Sequence, residues 1–313
     1  MTIKHILVTG ASGFLGRPLV DQLLNACYSV RATTRGTPSF PASVDAVIIP
    51  DFTNVVAWKP ILEGIDTIIH LAGLAHTDIR NGGLEAFNSI NVAATQNLAI
   101  AAKQAGVKRF IFISSIRAQV GVSASRTVHE GDEAHPTDCY GRSKLAAESA
   151  VRAAGVPFTI LRPVIVYGPH PKGNFKSLVR LALKPLPLPF FGLNNRRSLL
   201  GIDNFISAVL FVLNNPSTVG ETYLVADSTP LTLPEIVTML RKAQGRRAGL
   251  FYFPPGLFRL TFVLIKRREL WARMGEDLVA DTTKLRTLGW CPAVDTYEGI
   301  VAMMQAEISA DAR

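Results

Sequence analysis

A glycine-rich run, Gly10-Ala11-Ser12-Gly13-Phe14-Leu15-Gly16, directly follows the apolar tripeptide Ile6-Leu7-Val8 and narrows the folds open to this chain more than any other stretch. The short, partly β-branched tripeptide predicts a buried strand, and residues 14–26 continue in an amphipathic helical pattern. Strand, glycine turn and helix in that order form a dinucleotide-binding fingerprint. Glycine permits the tight turn and lets backbone approach a pyrophosphate, and the helix N-terminus adds unpaired N–H groups and partial positive charge. The spacing is Gly-x-x-Gly-x-x-Gly rather than the commoner Gly-x-Gly-x-x-Gly. Gly10, Ser12, Gly13, Phe14, Leu15 and Gly16 are therefore expected to line a cofactor site.

Further strands follow. The second, Ser29-Val30-Arg31-Ala32-Thr33-Thr34-Arg35, ends where an adenosine ribose is read. A carboxylate there would hold the 2′-hydroxyl of NAD, whereas an arginine accepts the 2′-phosphate of NADP. Thr34 and Arg35 occupy the position and no acid does, so NADP(H) is preferred and NAD(H) is the other choice. Val47-Ile48-Ile49 is a third strand, after which Asp51 and Phe52 sit where a loop can close on the adenine. The fourth ends in His70-Leu71-Ala72-Gly73. Small Ala72 and Gly73, with Leu71, would let backbone approach the cofactor; His70 reads as a packed, hydrogen-bonded histidine, and neither it nor His76 is expected to be catalytic. Residues 84–105 form a long helical pattern carrying Asn91. A fifth strand ends at Ile113-Ser114-Ser115, placing hydroxyls at the carboxyl edge where parallel sheets bind ligands. Phe158-Thr159-Ile160-Leu161-Arg162-Pro163 is a sixth. Strands alternating with helices predict an α/β fold with a doubly wound parallel sheet.

Cys139-Tyr140-Gly141-Arg142-Ser143-Lys144 reads as a helix start, and residues four apart share a helix face. Tyr140 and Lys144 therefore project to the same side. A free phenol has a pKa of about 10, and a fixed ammonium favours its ionised form. Such a tyrosine can exchange a proton with a sugar alcohol or ketone.

Composition bounds the rest. The chain has 313 residues and a net charge of +9, enough for one large or two modest domains and suited to anionic partners. Zinc-finger spacings and basic regions with stacking aromatics are missing, so no nucleic-acid partner is expected. Cys27, Cys139 and Cys291 are odd in number and far apart, which argues against a disulfide framework or a metal site and suits a reducing cytosol. Met1 runs into a strand without a signal-peptide pattern, so a cytoplasmic location is expected. The apolar stretch 249–265 is interrupted by Pro254, Pro255 and Arg259 and falls short of the about 20 residues a spanning helix needs.

These motifs, together with Val166-Tyr167-Gly168-Pro169 and Leu288-Gly289-Trp290-x-Pro292, resemble the extended short-chain dehydrogenase/reductases over nearly the whole chain, in particular the sugar-nucleotide epimerase/dehydratase branch. The resemblance implies a Rossmann sheet with a smaller α/β C-terminal substrate lobe. It implies Tyr140 as acid/base, Lys144 as the residue that lowers its pKa and binds the nicotinamide ribose, and Ser115 as the hydrogen-bond partner of the reacting oxygen. Asn91 would support Lys144, and Pro163 and Ile165 would line the nicotinamide. A homodimer through the Asn91 and Tyr140 helices is also implied. Ser114-Ser115-Ile116, Lys172-Gly173-Asn174-Phe175 and Asn195-Arg196-Arg197-Ser198-Leu199 are most similar to bacterial O-antigen and capsule enzymes that reduce a 4-keto sugar attached to UDP. The expected reaction is thus reduction at C4 of a UDP-4-keto sugar. A UDP-sugar 4-epimerase with tightly held NAD is the alternative, and a non-catalytic NADP-binding sensor or assembly subunit is a third.

In the C-terminal portion, Lys184-Pro185-Leu186-Pro187-Leu188-Pro189 must be extended. Arg197 and Asn174 are substrate candidates, because a guanidinium matches diphosphate geometry. Thr232-Leu233-Pro234-Glu235 is a capping-box pattern opening a helix. The cofactor domain is expected over 1–168 plus about 201–227, and the substrate lobe over 169–200 and 228–313. Residues 241–268 interleave arginines and lysines with apolar side chains, a composition that can lie on anionic lipid or pack one side on the lobe.

Overall fold

The computed structural model describes residues 5–37, 40–49, 52, 56–75, 83–171 and 173–311. The strands are β1 His5–Thr9, β2 Ser29–Thr34, β3 Asp45–Ile48, β4 Thr67–His70, β5 Arg109–Ile113, β6 Phe158–Pro163, β7 Ile165–Tyr167, β8 Arg196–Arg197, β9 Leu199–Gly201, β10 Thr222–Val225 and β11 Leu231–Thr232. The helices are α1 Gly16–Asn25, α2 Trp58–Leu62, α3 Gly83–Phe87, α4 Ala94–Gln104, α5 Cys139–Ala153, α6 Gly173–Leu183, α7 Ile202–Asn214, α8 Leu233–Lys242, α9 Pro255–Leu264, α10 Arg268–Gly275, α11 Thr283–Arg286 and α12 Thr296–Asp311.

Seven strands form one sheet in the order β10-β6-β5-β4-β1-β2-β3. The β1–β2, β1–β4, β2–β3, β4–β5 and β5–β6 pairs are parallel, as runs buried on both faces predict. Strand order reverses between β1 and β4, and the carboxyl ends there form the crevice where such sheets take ligands. That edge carries the glycine turn, Leu71–Gly73 and Ser114-Ser115.

The chain divides into two compact units. The first comprises 1–119, 133–162 and 208–223, and the second 120–132, 163–207 and 224–313. The division differs from the sequence reading in giving 120–132, 163–168, 201–207 and 224–227 to the second unit. Backbone bonds explain it: Ala124 N donates to Asp277 O at 2.8 Å, Val128 N to Val279 O at 2.8 Å, and Val164 N to Val225 O at 3.2 Å.

The first unit packs Leu7, Ile68, Phe110, Phe112 and Ile160 of the sheet against Leu98, Ala102, Ala147 and Val151 of α4 and α5. The second builds its core from Phe175, Val179, Phe190, Val237, Leu240 and Met303. Buried Asp227 ties that unit together. It accepts from Gly201 N (3.0 Å), Asn204 Nδ2 (2.8 Å), Tyr167 Oη (3.1 Å) and Thr296 Oγ1 (3.1 Å). Thr232 caps α8 in a reciprocal box with Glu235. Cys27, Cys139 and Cys291 are free, and among the described residues no helix is long and apolar enough to cross a membrane.

One element departs from its sequence pattern. The helix expected over 84–105 is interrupted by a π-helical turn, Asn88–Ala93, between α3 and α4. Such turns tend to mark functional sites.

Candidate functional site

Asp138 starts α5, its carboxylate accepting from Gly141 N at 2.8 Å. A Cβ on Gly141 would lie 2.2 Å from the carbonyl oxygen of Arg117, so only glycine lets the 116–118 turn sit this close to the helix start. The contact brings Ser115 to Tyr140. Ser115 Oγ accepts from Arg117 N at 3.2 Å and hydrogen-bonds the Tyr140 hydroxyl in the sense that favours a phenolate. Desolvation pushes the Tyr140 phenol above its ordinary value, while Ser115 and then the Arg117 charge oppose it. Arg117 is held by Asp138.

Lys144, one turn on, is buried and donates from Nζ to Ile113 O at 2.7 Å, with Nζ 4.4 Å from the centre of the Phe112 ring. Burial lowers its pKa to about 8 and the Glu148 charge works the other way. Glu148 belongs to a buried network. Its Oε1 accepts from Ser114 Oγ (2.5 Å) and Arg162 Nε (2.9 Å), its Oε2 from Arg162 Nη2 (2.6 Å), and Arg162 Nη1 reaches Gln119 Oε1 (2.8 Å).

Asn91 lies in the π-helical turn with 2% of its surface exposed. Its Oδ1 accepts from Leu74 N at 2.7 Å, and its Nδ2 donates to Leu74 O at 3.0 Å and Ser143 Oγ at 2.9 Å. It thus clamps the loop after Gly73 to the helix of Tyr140 and Lys144. His70 is buried between Thr9 Oγ1 (2.6 Å) and Thr95 Oγ1 (2.8 Å), and burial, with the Lys144 charge, lowers its pKa to about 3. The ring is neutral and serves as a strut, since Thr9 Oγ1 also accepts from Ala72 N at 3.3 Å.

The glycine turn has the shape a dinucleotide requires. Gly10 has φ +70°, and a Cβ there would fall 2.8 Å from Ala72 N; one on Gly16 would fall 2.2 Å from Gly10 O. No side chain caps α1 and no acid lies in its first turn, so its end is open to an anion. At the end of β2, Thr34 is buried, Arg35 is exposed, and the buried Thr33 Oγ1 has no hydrogen-bond partner among the described residues. Ser12 and Gly13 are exposed on the turn, Phe14 and Leu15 half-buried. These residues fit a nicotinamide dinucleotide.

The remaining expected site residues lie outside this cluster or outside the described residues. Phe52 packs 6.0 Å from the Trp58 ring, and Asp51 and His76 lie outside the described residues. Pro163 ends β6 buried and Ile165 opens β7 39% exposed, both in the second unit. Asn174 is in α6, its side chain outside what is described. Arg197 is 9% exposed, its guanidinium donating to the carbonyls of Val122 (2.8 Å), Ala272 (3.3 Å) and Glu276 (2.9 Å). A polar cavity of about 690 Å³ in the same unit is lined by Ser123, Ser125, Asn195 and Glu276 among others. Asn195 Oδ1, on its wall, is buried without a hydrogen-bond partner among the described residues.

Sequence reasoning passed over Arg117, Asp138, Glu148 and Arg162. Glu148 carried a signal, being four residues beyond Lys144 on the same helix face. Arg117 carried none, because its place depends on how residues 116–138 return to the sheet. Among the described residues, no group of three or more His, Cys, Asp or Glu is placed to hold a metal ion.

Comparison with known proteins agrees with this arrangement. The model of the NAD dependent epimerase/dehydratase family matches residues 6–226. A UDP-glucose 4-epimerase of Vibrio cholerae is 32% identical, over 99% of this chain and 97% of that protein. A trifunctional UDP-glucose 4,6-dehydratase/UDP-4-keto-6-deoxy-D-glucose 3,5-epimerase/UDP-4-keto-L-rhamnose-reductase of Arabidopsis thaliana is 27% identical, over 96% of this chain and 47% of that protein. The crystal structure of the UDP-glucuronic acid 4-epimerase from Bacillus cereus in complex with UDP-glucuronic acid and NAD superposes with a TM-score of 0.79 at 25% identity, covering 98% of this chain and 99% of that one. A doubly wound sheet, a glycine turn at its switch point, Ser115 bonded to Tyr140, Lys144 on the same helix face and a family match over residues 6–226 lead to one conclusion: the chain belongs to the NAD dependent epimerase/dehydratase family.

Proposed function

We propose that the chain is an NADP(H)-preferring oxidoreductase that reduces C4 of a UDP-4-keto sugar, as in bacterial polysaccharide synthesis. The observation that carries this reading is the end of β2, where Thr33, Thr34 and exposed Arg35 stand without a carboxylate. A 2′-phosphate is compatible with that edge, and the absence of an acidic clamp suits a cofactor exchanged at each turnover.

When bound, the nicotinamide supplies the hydride. The chain's own residues supply the rest. Ser115 orients and polarises the reacting oxygen. Tyr140 delivers the proton to it, along the line set by the Arg117 N–H, Ser115 and the phenol. Lys144, fixed on Ile113 O, keeps positive charge beside the tyrosine and faces the ribose. Asn91 holds the Leu71-Ala72-Gly73 loop in register with that helix. The diphosphate is assigned to the second unit, with Arg197 as a fixed charge anchored beside the cavity at Ser123 and Glu276, and Asn174 as a further donor.

The names of relatives favour a second reading, UDP-sugar 4-epimerisation with NAD held through the cycle. Cofactor turnover separates the two. Added NADPH should be consumed with a UDP-4-keto-6-deoxyhexose. Interconversion of UDP-glucose or UDP-N-acetylglucosamine with its 4-epimer, without added cofactor and without net change in nicotinamide absorbance, would overturn the reductase. Tyr140→Phe should lower kcat at least a hundredfold with cofactor affinity unchanged; unaltered turnover would remove Tyr140 from the chemistry, as a non-catalytic sensor requires.

A further inference from the structure

α9 is ten residues long and contains no fully buried residue. Phe258 and Phe262 face inward, meeting Trp271 at ring separations of 6.1 and 6.4 Å. The opposite stripe, Leu257, Leu260 and Leu264, is 53%, 50% and 71% exposed, and Ile265 extends it at 61%. Just before the helix, Tyr252 is 64% exposed, and Phe191, also 64% exposed, is tied to this segment by its N–H bond to Phe251 O at 3.2 Å. Single exposed apolar residues are ordinary on any surface, but a stripe of this density marks a contact face.

What borders the stripe is strongly basic. α9 ends at Leu264, Lys266 just beyond it turns left-handed with a φ of 56°, and α10 starts two residues later. Arg259, Lys266, Arg267 and Arg268 are all exposed, and among the described residues none of them makes an ion pair. The turn between the helices encloses an open cavity of about 700 Å³, with Lys266, Arg267, Arg268 and Arg273 on its walls beside Val263 and Leu270. Its one carboxylate, Glu269, is paired with Arg273 at 3.5 Å.

An apolar stripe flanked by cations on a helix too short to span a bilayer matches a helix that lies in the plane of a membrane interface. Charge selects between occupants. A second copy docking face to face about a two-fold axis would bring this basic rim against itself, whereas lipid phosphates complement it. We propose that α9 and the 265–268 turn form a docking element for an anionic bilayer surface. Leu257, Leu260, Leu264 and Ile265 enter the headgroup–acyl boundary, and Arg259, Lys266, Arg267 and Arg268 meet the lipid phosphates. Docking of this kind requires nothing of Tyr140 or of the glycine turn, and it stands whichever reaction the chain carries out.

Co-sedimentation of the full chain with vesicles of phosphatidylcholine mixed with phosphatidylglycerol, and with phosphatidylcholine alone, tests it. The wild type should sediment with the anionic vesicles, much less with the neutral ones, and be released by salt. Combined Lys266→Gln, Arg267→Gln and Arg268→Gln should weaken binding roughly fivefold per side chain, on the order of a hundredfold together. Combined Leu257→Ser, Leu260→Ser and Leu264→Ser should abolish it even at low salt, with the circular dichroism spectrum and cofactor affinity of the wild type. Should either combined variant fail to fold, Leu260→Trp gives the same answer through a blue shift and quenching by brominated lipid. Failure of the wild type to sediment, equal binding to neutral vesicles, or full binding by either variant overturns the proposal. Self-association that the serine variant abolishes, without vesicle binding, would assign the face to a second copy instead.

Discussion

At Lys144 two influences oppose each other: burial, which favours the neutral amine, and the Glu148 carboxylate one turn away, which favours the ammonium. If catalysis needs the ammonium, kcat/KM falls as pH rises through about 8. Glu148→Gln removes the influence that raises the pKa, so that limb should move to lower pH; an unmoved limb would confine Glu148 to a structural role. The same change leaves Arg162 buried without its counter-charge and should lower stability by about 3 kcal/mol. His70 makes a separate case. Its folded pKa of about 3 lies below the ordinary 6.5, so the unfolded chain binds the proton first as pH falls. Its contribution to stability is complete above pH 6.5 and is lost progressively toward pH 3. Urea unfolding should show a loss of about 2 kcal/mol from this group between pH 6.5 and 5, removed in His70→Asn. The Tyr140–Lys144 relation was legible because helical periodicity alone places them together. The influence of Arg117 on Tyr140 was not, since its place depends on how residues 116–138 return to the sheet.

Among the elements, α5 matters most, and its first turn depends on Gly141. Gly141→Ala would force a Cβ against the Arg117 carbonyl and push the 116–118 turn outward, parting Ser115 from Tyr140. Loss of a few kcal/mol in stability and a more than tenfold fall in kcat are expected, measurable by thermal unfolding and single-turnover kinetics. The capping box of α8 was readable, because such a cap is local chemistry, whereas the Asp138 cap of α5 was passed over. The π-helical turn at Asn91 was not: slipping the bond pattern by one residue leaves the apolar repeat of 84–105 nearly intact while rotating Asn91 toward Leu74 and Ser143.

On the scale of the whole molecule, the two units share the chain without a single boundary. Residues 208–223 return to the first unit, where Arg109 Nη2 bonds the carbonyls of Val212 (2.5 Å) and Asn215 (3.0 Å) and the Thr218 hydroxyl. Composition shifted near residue 168, so a break there was legible, but this return depends on a buried arginine that no local pattern announces. A fragment ending at residue 168 would leave that guanidinium with Thr159 Oγ1 (3.2 Å) alone and the open side of β6 unpaired. It should lack a cooperative melting transition that the full chain has. The late arrival of β10 also has a temporal consequence. During synthesis β6 emerges first, and the strand that covers it is about 60 residues behind, roughly 3–12 s at ordinary translation rates. Through that interval the nascent sheet, already carrying its glycine turn and Tyr140, offers an unpaired edge to neighbouring chains. Newly made protein should therefore be most prone to aggregate, and most dependent on chaperones, before residue 225 has left the ribosome.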